Sequence, residues 1–305
     1  METDLYTLDE RMVDVGDGHQ LYAQLWGKAD SARTFVFLHG GPGGSCSDSS
    51  KQLFDPTTDR VIFFDQRGSG KSLPYGSLEA NNTDALVKDI DTIATAFNID
   101  TFALVGGSWG SCLALIYAIR NPQKVQRLVL RGIFTGRKSE IDFMDKGKIA
   151  AFFPDVWERF LQTVPEGQQS NPRDYHMPRL FGSDTSAALQ SAMAYSDLEG
   201  SIVALDDRTK PVDPEKFNPV PITIECHYLV NGCFIPEGYI IEYANKLTMP
   251  VAIVQGRYDI ICPPFTAYDL HKAAPNSKLF WTVAGHSGHD RGNFDVMKAI
   301  IATKS

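Results

Sequence analysis

The sequence predicts an α/β fold in which a mostly parallel sheet is covered by helices and interrupted by a helical insertion. Apolar runs of strand length recur in both the first and the last part of the chain. These runs are continuous rather than alternating, which is typical of parallel strands buried on both faces. The strand-like runs stop between about residues 137 and 247, where short helical patterns alternate with polar, proline-containing stretches.

A β-hairpin is predicted near the start of the chain. The tripeptide Gly16-Asp17-Gly18 favours a tight turn, and residues 11–15 and 19–26 on either side of it are rich in β-forming residues. Further strands are predicted over short apolar runs, at residues 34–38, 61–64, 102–105, 128–130, 251–254 and 279–283.

Two helices are predicted between these strands. Apolar residues spaced i, i+4, i+7 and i+11 between Leu86 and Phe97 follow a candidate N-cap at Asn82 or Thr83. A second helix is predicted from about Trp109 to Arg120, because it follows a strand directly and Asn121-Pro122 ends it.

The interruption divides the chain into two predicted domains. Residues 1–136 and 248–305 carry the strand pattern and are expected to form one discontinuous core. Residues 137–247 carry helical patterns only and are expected to form an inserted helical cap domain.

Composition and charge exclude several classes of protein. A chain of 305 residues that is 43% hydrophobic and 22% charged has the composition of a globular protein, not of a disordered or fibrous one. The formal net charge of −8 offers no general attraction to nucleic acid or to an anionic membrane surface. No run approaches the ~18 apolar residues of a membrane span, and the acidic first residues, 1–5, lack a signal-peptide pattern. We expect a cytoplasmic protein.

The cysteines point to the same compartment. The chain has five, an odd number, widely spaced and without a Cys-x-x-Cys pair: Cys46, Cys112, Cys226, Cys233 and Cys262. This pattern favours reduced thiols over a disulfide framework or a structural zinc site.

A nucleophilic serine is predicted within Gly106-Gly107-Ser108-Trp109-Gly110, a G-x-S-x-G sequence. It lies between a predicted strand and a predicted helix, where small flanking residues allow the sharp turn that exposes the Ser108 hydroxyl. The pentapeptide alone is a weak signal. A serine hydroxyl also needs a general base, and the base needs an acid that orients it.

Asp259 and His286 are the candidates for these two roles. Each follows a late strand, so both are expected at the carboxyl edge of the sheet beside Ser108. The chain order Ser, Asp, His is that of the α/β-hydrolases. Taken singly, Asp259 could be a helix cap and His286 an ordinary loop residue, but together with Ser108 they favour a catalytic triad.

An oxyanion hole is predicted in the loop His39-Gly40-Gly41-Pro42-Gly43-Gly44, which directly follows an early strand. Acyl transfer needs fixed backbone donors for the developing negative charge, and glycine permits close approach of the main chain. We expect the donors to be the amides of Gly41 and Trp109, with Gly40 as the next candidate. A plain glycine turn is the alternative.

A competing motif, Gly68-Ser69-Gly70-Lys71-Ser72, ends like a phosphate-binding loop. The template also requires a glycine at position 65, where this chain has Asp65, and a helix after the serine, where it has Leu73-Pro74. We therefore interpret Asp65-Gln66-Arg67-Gly68 as a structured loop beside the active site rather than as a nucleotide site.

Six motifs occur in order along the predicted core. They are HGGPGG at 39–44, DQRGSGKS at 65–72, GGSWGS at 106–111, LRGIF at 130–134, GRYDIICPP at 256–264 and GHS at 285–287. With these motifs the chain resembles the prolyl aminopeptidases (proline iminopeptidases), serine α/β-hydrolases, along nearly the whole predicted core. The resemblance implies an α/β-hydrolase fold, a triad of Ser108, His286 and Asp259, and release of an N-terminal proline from peptides without a metal or other cofactor.

The resemblance also implies residues that bind the substrate amine. Family members use two cap glutamates for this cation, and the matching positions here are Glu199 and Glu225. Arg131 matches a family arginine expected to organise these carboxylates. Phe134 and Cys262 fall where the pocket for the proline ring is expected, and Tyr195 stands where the family has a tryptophan.

The chain departs from the family pattern in the cap and after the catalytic histidine. Tyr195 and Leu198 replace two tryptophans, Cys226 replaces an asparagine, and Gly288-His289-Asp290 replaces a small residue, an aromatic residue and a glutamate. These departures bear on strictness for proline rather than on hydrolysis.

The sequence therefore predicts a serine exopeptidase that releases proline, or a similar small residue, from short peptides, with neither nucleic acid nor membrane as a partner. Two alternatives remain: an esterase, lactonase or amidase of the same fold that needs no free amine, and a hydrolase fold used only for binding. The oligomeric state is not predicted.

Overall fold

The computed structural model describes residues 4–205 and 212–303, in which the strands form one eight-stranded sheet. The strands are β1 (Thr7–Gly16), β2 (His19–Gly27), β3 (Arg33–Leu38), β4 (Asp59–Phe64), β5 (Phe102–Ser108), β6 (Val125–Ile133), β7 (Val251–Gly256) and β8 (Ser277–Thr282). Every strand predicted from the apolar runs is confirmed.

The strand order is β1-β2-β4-β3-β5-β6-β7-β8. Strands β1 and β2 form the predicted antiparallel hairpin, and β2 is antiparallel to β4. The remaining neighbours pair in parallel, which confirms the mostly parallel sheet. At the hairpin turn Gly16, Asp17 and Gly18 all have positive φ, which explains the need for this tripeptide.

The α-helices are α1 (Asp48–Lys51), α2 (Thr83–Ala96), α3 (Trp109–Arg120), α4 (Lys138–Asp145), α5 (Pro154–Leu161), α6 (Pro172–Leu180), α7 (Thr185–Ile202), α8 (Val220–Val230), α9 (Tyr239–Glu242), α10 (Pro264–Ala273) and α11 (Arg291–Ala302). The two predicted helices are confirmed as α2 and α3. Asn82 is the N-cap of α2, because its side chain accepts a hydrogen bond from the Ala85 amide at 3.1 Å.

Helices cover both faces of the sheet, as the continuous apolar strands predict. On one face, α2, α3 and α10 pack on residues such as Leu38, Leu104 and Leu130. On the other face, α11 contributes Met297 and Ile301 to a second apolar cluster. Side chains of alternate strand residues therefore enter separate layers of core.

The stretch between β6 and β7 carries helices α4 to α9, and no strand occurs in its described residues, 134–205 and 212–250. Part of it has an apolar cluster of its own, with Phe160, Tyr195 and Leu198. Helix α8 contributes to two clusters. Ile224 packs in the cluster that contains Leu38 and Leu104, and Cys226 packs in the cluster of the insertion. The division into a core of 1–136 with 248–305 and a cap of 137–247 stays a prediction, and residues 1–3, 206–211 and 304–305 of these ranges lie outside the described residues.

Among the described helices, none is both long and apolar enough to cross a membrane. The parallel strands all end at one edge of the sheet, where the loops after β3, β4, β5, β6, β7 and β8 meet. Each of the six family motifs lies at the carboxyl end of one of these strands or in the segment that follows it.

Candidate active site

Ser108 is the last residue of β5 and immediately precedes α3. Its backbone has φ 57° and ψ −128°, a strained conformation for a residue with a side chain. The glycines on either side of the turn are sterically required: a Cβ at Gly106 would lie 2.4 Å from the Gly110 carbonyl oxygen, and one at Gly110 would lie 2.1 Å from the Leu38 carbonyl oxygen. This is the geometry of a nucleophile elbow, which presents the hydroxyl above the sheet edge.

His286 and Asp259 lie together in the loops after β8 and β7. Nδ1 of His286 is 2.9 Å from Oδ2 and 3.1 Å from Oδ1 of the Asp259 carboxylate, and both side chains are buried. A carboxylate accepts, so Nδ1 carries the proton and Nε2 is the basic nitrogen. The ring packs over Gly132, where a Cβ would lie 3.1 Å from Cε1 of His286.

Asp259 is held by further donors. Its Oδ1 accepts hydrogen bonds from the amides of Ile261 and Cys262 at 3.1 and 2.8 Å, and its Oδ2 accepts one from Nε2 of Gln255 at 3.1 Å. Gln255 was not predicted as a site residue, although it stands in β7 next to the motif that contains Asp259. These donors fix the orientation of the buried carboxylate towards His286.

The loop that carries His286 is anchored by two residues of the following segment. Oδ2 of Asp290 accepts from the Gly285 amide at 2.7 Å, and Nδ2 of Asn293 donates to the Gly285 and Ser287 carbonyls at 3.1 and 2.9 Å. Asp290 is one of the departures from the family pattern, and its carboxylate orients the histidine loop.

The glycine loop after β3 lies against Ser108. A Cβ at Gly40 would be 3.2 Å from the Gly107 carbonyl oxygen and 3.4 Å from Cβ of Ser108, so the loop packs closely on this turn. Trp109, the first residue of α3, is fully buried against Tyr228, with the two rings 4.8 Å apart and at 62°. The segments of both predicted oxyanion donors, Gly41 and Trp109, therefore border Ser108.

The two predicted glutamates come together from α7 and α8. The side chains of Glu199 and Glu225 hydrogen-bond to each other, and His286 is an electrostatic neighbour of Glu199. Burial, together with the charge of Glu199, raises the pKa of Glu225 well above its ordinary value, and burial raises the pKa of Glu199. In the described ranges, 4–205 and 212–303, no lysine or arginine pairs with either carboxyl group.

Arg131 lies beside the loop that carries His286, and its role in organising the cap carboxylates stays a prediction. In β6 it is paired with Gly107 of β5, and its Nη1 donates a hydrogen bond to the His286 backbone carbonyl. A Cβ at Gly107 would lie 2.3 Å from its guanidinium. Within the described residues its hydrogen bond is to the histidine loop rather than to Glu199 or Glu225, because β6 ends beneath that loop.

Cys262 and Phe134 lie near Ser108, and Tyr195 lies in the apolar cluster of the insertion. The Cys262 thiol is within hydrogen-bonding reach of the Ser108 hydroxyl, and burial raises its pKa well above the ordinary value. The Phe134 amide donates to Oγ of Ser111, which in turn donates to the Ser108 carbonyl. Tyr195 is buried in the apolar cluster of the insertion, and its hydroxyl donates to Asp145 at 3.3 Å.

Comparisons with known proteins agree with this geometry. Residues 33–290 match the model of the α/β-hydrolase fold family. A proline iminopeptidase of Arabidopsis thaliana is 41% identical over 285 residues, which cover 91% of this chain and 75% of that relative. A proline iminopeptidase of Xylella fastidiosa (strain Temecula1 / ATCC 700964) is 38% identical over 303 residues, which cover 97% of this chain and 96% of that relative.

A solved structure supports the same fold. The proline iminopeptidase of Mycobacterium smegmatis superposes with a TM-score of 0.59 at 19% identity, covering 96% of both chains. At this identity the likeness concerns the fold alone, because one fold hosts many activities.

Proposed function

The chain belongs to the proline iminopeptidase family of serine α/β-hydrolases, and we propose that it releases an N-terminal proline, or a similar small residue, from short peptides through an acyl-enzyme. The proposal assigns Ser108 as nucleophile, His286 as general base and acid, and Asp259 as the residue that orients His286. The backbone amides of Gly41 and Trp109 are assigned to the oxyanion hole.

The reaction begins when Nε2 of His286 removes the proton of the Ser108 hydroxyl while Oγ attacks the substrate carbonyl carbon. The former carbonyl oxygen gains negative charge, which the two backbone amides stabilise. His286 then donates its proton to the departing amine as the amide bond breaks. Water, deprotonated by the same nitrogen, hydrolyses the ester on Ser108 and releases the free amino acid.

The observation that carries the peptidase assignment is the pair formed by Glu199 and Glu225. Burial and the neighbouring carboxyl group raise the pKa of Glu225, so ionising both groups in the free site is costly. An ammonium group would favour ionisation of both, because it would supply a positive charge, and within the described residues no lysine or arginine pairs with either group. A bound N-terminal amine at this pair is beside His286, as an exopeptidase requires.

A substrate panel tests the proposal. We expect a proline chromogenic amide to be hydrolysed faster than the alanine and leucine amides. The N-acetylated proline amide should be cleaved at least about 100-fold more slowly than the unblocked one, because without the ammonium a buried charged group of the site is left unpaired. The measurement is kcat/KM for each substrate. Cleavage of the blocked amide, or of a simple aryl ester, as fast as the unblocked amide would instead indicate an esterase or amidase with no amine requirement.

Replacing Glu225 by glutamine is expected to raise KM for the unblocked amide by about 10- to 100-fold, because a charge-assisted hydrogen bond to the ammonium is lost. In the wild type, KM should rise as pH falls through the titration of the pair, since protonation removes the negative charge that binds the amine. With glutamine at 225 the amide can still donate to Glu199, while the carboxyl group with the higher pKa is gone, so the pH at which KM rises should shift downwards.

Glu158→Gln is the matched control, because Glu158 is an exposed glutamate on α5. It should leave KM and its pH dependence unchanged. An equal rise of KM in both variants, or an unchanged KM in Glu225→Gln, would contradict amine binding by the pair.

We further propose that the enzyme acts in the cytoplasm. Support comes from its cysteines: all five are free thiols, and four of them are buried. The expected substrate is a small peptide or amide.

A further inference from the structure

Gln66 lies in a motif that the proposed mechanism leaves without a role. It follows β4 by two residues, in the loop where the sequence resembles a phosphate-binding motif. Strand β3 separates β4 from β5, so Gln66 faces the glycine loop and, beyond it, the nucleophile elbow. The Gln66 side chain is only 2% exposed.

The polar groups of Gln66 bond to both neighbouring segments. Its side-chain Nε2 donates to the His39 carbonyl at 3.0 Å, and its backbone amide donates to Nε2 of the His39 ring at 2.9 Å. Its side-chain Oε1 accepts from the indole Nε1 of Trp109 at 2.9 Å. Residues His39 and Trp109 are 3% and 0% exposed, so water does not compete for these bonds.

The bond from the Gln66 backbone determines the tautomer of His39. A backbone amide can only donate, so Nε2 of His39 accepts and the ring proton is on Nδ1. Nδ1 therefore donates to the Gly40 carbonyl, 3.0 Å away. Burial lowers the pKa of His39, which keeps the ring neutral and this arrangement in place.

Holding the Gly40 carbonyl also orients the next amide. The Gly40 carbonyl and the Gly41 N–H belong to one planar trans peptide, in which the two bonds point in opposite directions. The carbonyl is bound by His39 and by the Gly44 amide at 3.3 Å. The Gly41 N–H must then point away from His39.

We propose that Gln66 is a positioning residue that sets both oxyanion donors at once, through His39 for the Gly41 amide and through the indole for the Trp109 amide. It acts through these residues and does not touch the substrate. The proposal rests on the serine hydrolysis proposed above. Replacing Gln66 should therefore weaken transition-state stabilisation and leave substrate binding unchanged.

Gln66→Met keeps the length and burial of the side chain but removes its donor and its acceptor. We expect kcat for the proline chromogenic amide to fall by about 30- to 300-fold, near the 10²- to 10³-fold loss of one oxyanion donor, with KM within about twofold of wild type. A boronic acid analogue, which forms a tetrahedral adduct on Ser108, should bind weaker by the same factor as kcat/KM. Inhibition by the product proline should be unchanged.

Gln66→Glu is the conservative variant and distinguishes positioning from packing. A protonated glutamate reproduces both bonds, because its hydroxyl donates to the His39 carbonyl and its other oxygen accepts from Trp109. An ionised glutamate places a charge against that carbonyl. The ratio of kcat between Gln66→Glu and wild type should therefore fall as pH rises, which a purely structural residue would not cause.

Gln126→Met is the matched control, since Gln126 is an exposed glutamine of β6, and its kcat should stay within about twofold of wild type. A Gln66→Met enzyme with wild-type kcat would overturn the proposal, as would parallel losses of kcat and of proline binding. If Gln66→Met does not fold, a pH-independent Gln66→Glu ratio overturns it alone. A wild type that cleaves none of the amides would instead refute the proposed function.

Discussion

Ser108→Ala is expected to lower kcat for the proline chromogenic amide by about 10⁵- to 10⁶-fold, because the proposed acyl-enzyme forms on the Ser108 hydroxyl. The fold should be retained, since the Ser108 hydroxyl contacts the Cys262 thiol, a weak hydrogen-bonding partner, while its strained backbone is held by flanking glycines and by Ser111. The measurement is steady-state turnover together with thermal unfolding.

A fluorophosphonate probe provides an independent measurement of the same nucleophile. It should label the wild type and a Ser201→Ala control, which removes a hydroxyl bonded to Arg159 in the insertion, but not Ser108→Ala. Turnover that survives in Ser108→Ala beyond trace contamination would contradict the acyl-enzyme mechanism. A wild type that neither turns over nor reacts with the probe would favour a binding protein with a hydrolase fold.

Asp259→Asn is expected to lower kcat by about 10⁴-fold. The reason lies in the donors around the carboxylate. Two backbone amides bind Oδ1, so an asparagine would keep its carbonyl oxygen there and place its NH₂ at the position of Oδ2. That position faces the Nε2 of Gln255 and the Nδ1 of His286. His286 would then carry its proton on Nε2 and could not deprotonate Ser108.

Asp295→Asn is the control for this substitution, because Asp295 forms an ion pair with Arg291 on the exposed surface of α11. It should leave kcat within twofold. The comparison is made by kcat at several pH values, with thermal unfolding to confirm that Asp259→Asn folds. More than a tenth of wild-type turnover in Asp259→Asn would show that the carboxylate does not determine the tautomer of His286.

Local sequence patterns were sufficient for most of the fold. The turn at Gly16-Asp17-Gly18, the cap at Asn82 and the continuous apolar strands each depend on residues near one another in the chain, and all are confirmed. The order of the strands was not predicted. It depends on which apolar surfaces pack together, and these contacts join residues far apart in sequence.

Contacts within the site also join residues far apart in sequence, so the sequence did not predict them. The resemblance implies that Arg131 organises the cap carboxylates, but its guanidinium contacts the His286 loop across two neighbouring strand ends. The contacts of Gln255 and Gln66 could not be recognised from the sequence, since a glutamine beside or within a motif carries no chemical signal of its own. Asp290, which departs from the family pattern, binds the amide of Gly285.

The sequence alone determined the family, the fold class and the candidate nucleophile, base and acid. The fold class follows from the pattern of apolar runs, and each candidate follows from a residue type at a fixed place after a strand. Tertiary structure alone decided which partners contact these groups: Gln255 at Asp259 and Gln66 between the two predicted oxyanion segments. Such partners meet through the packing of separate strands and helices, and the distances between them are set by the whole core.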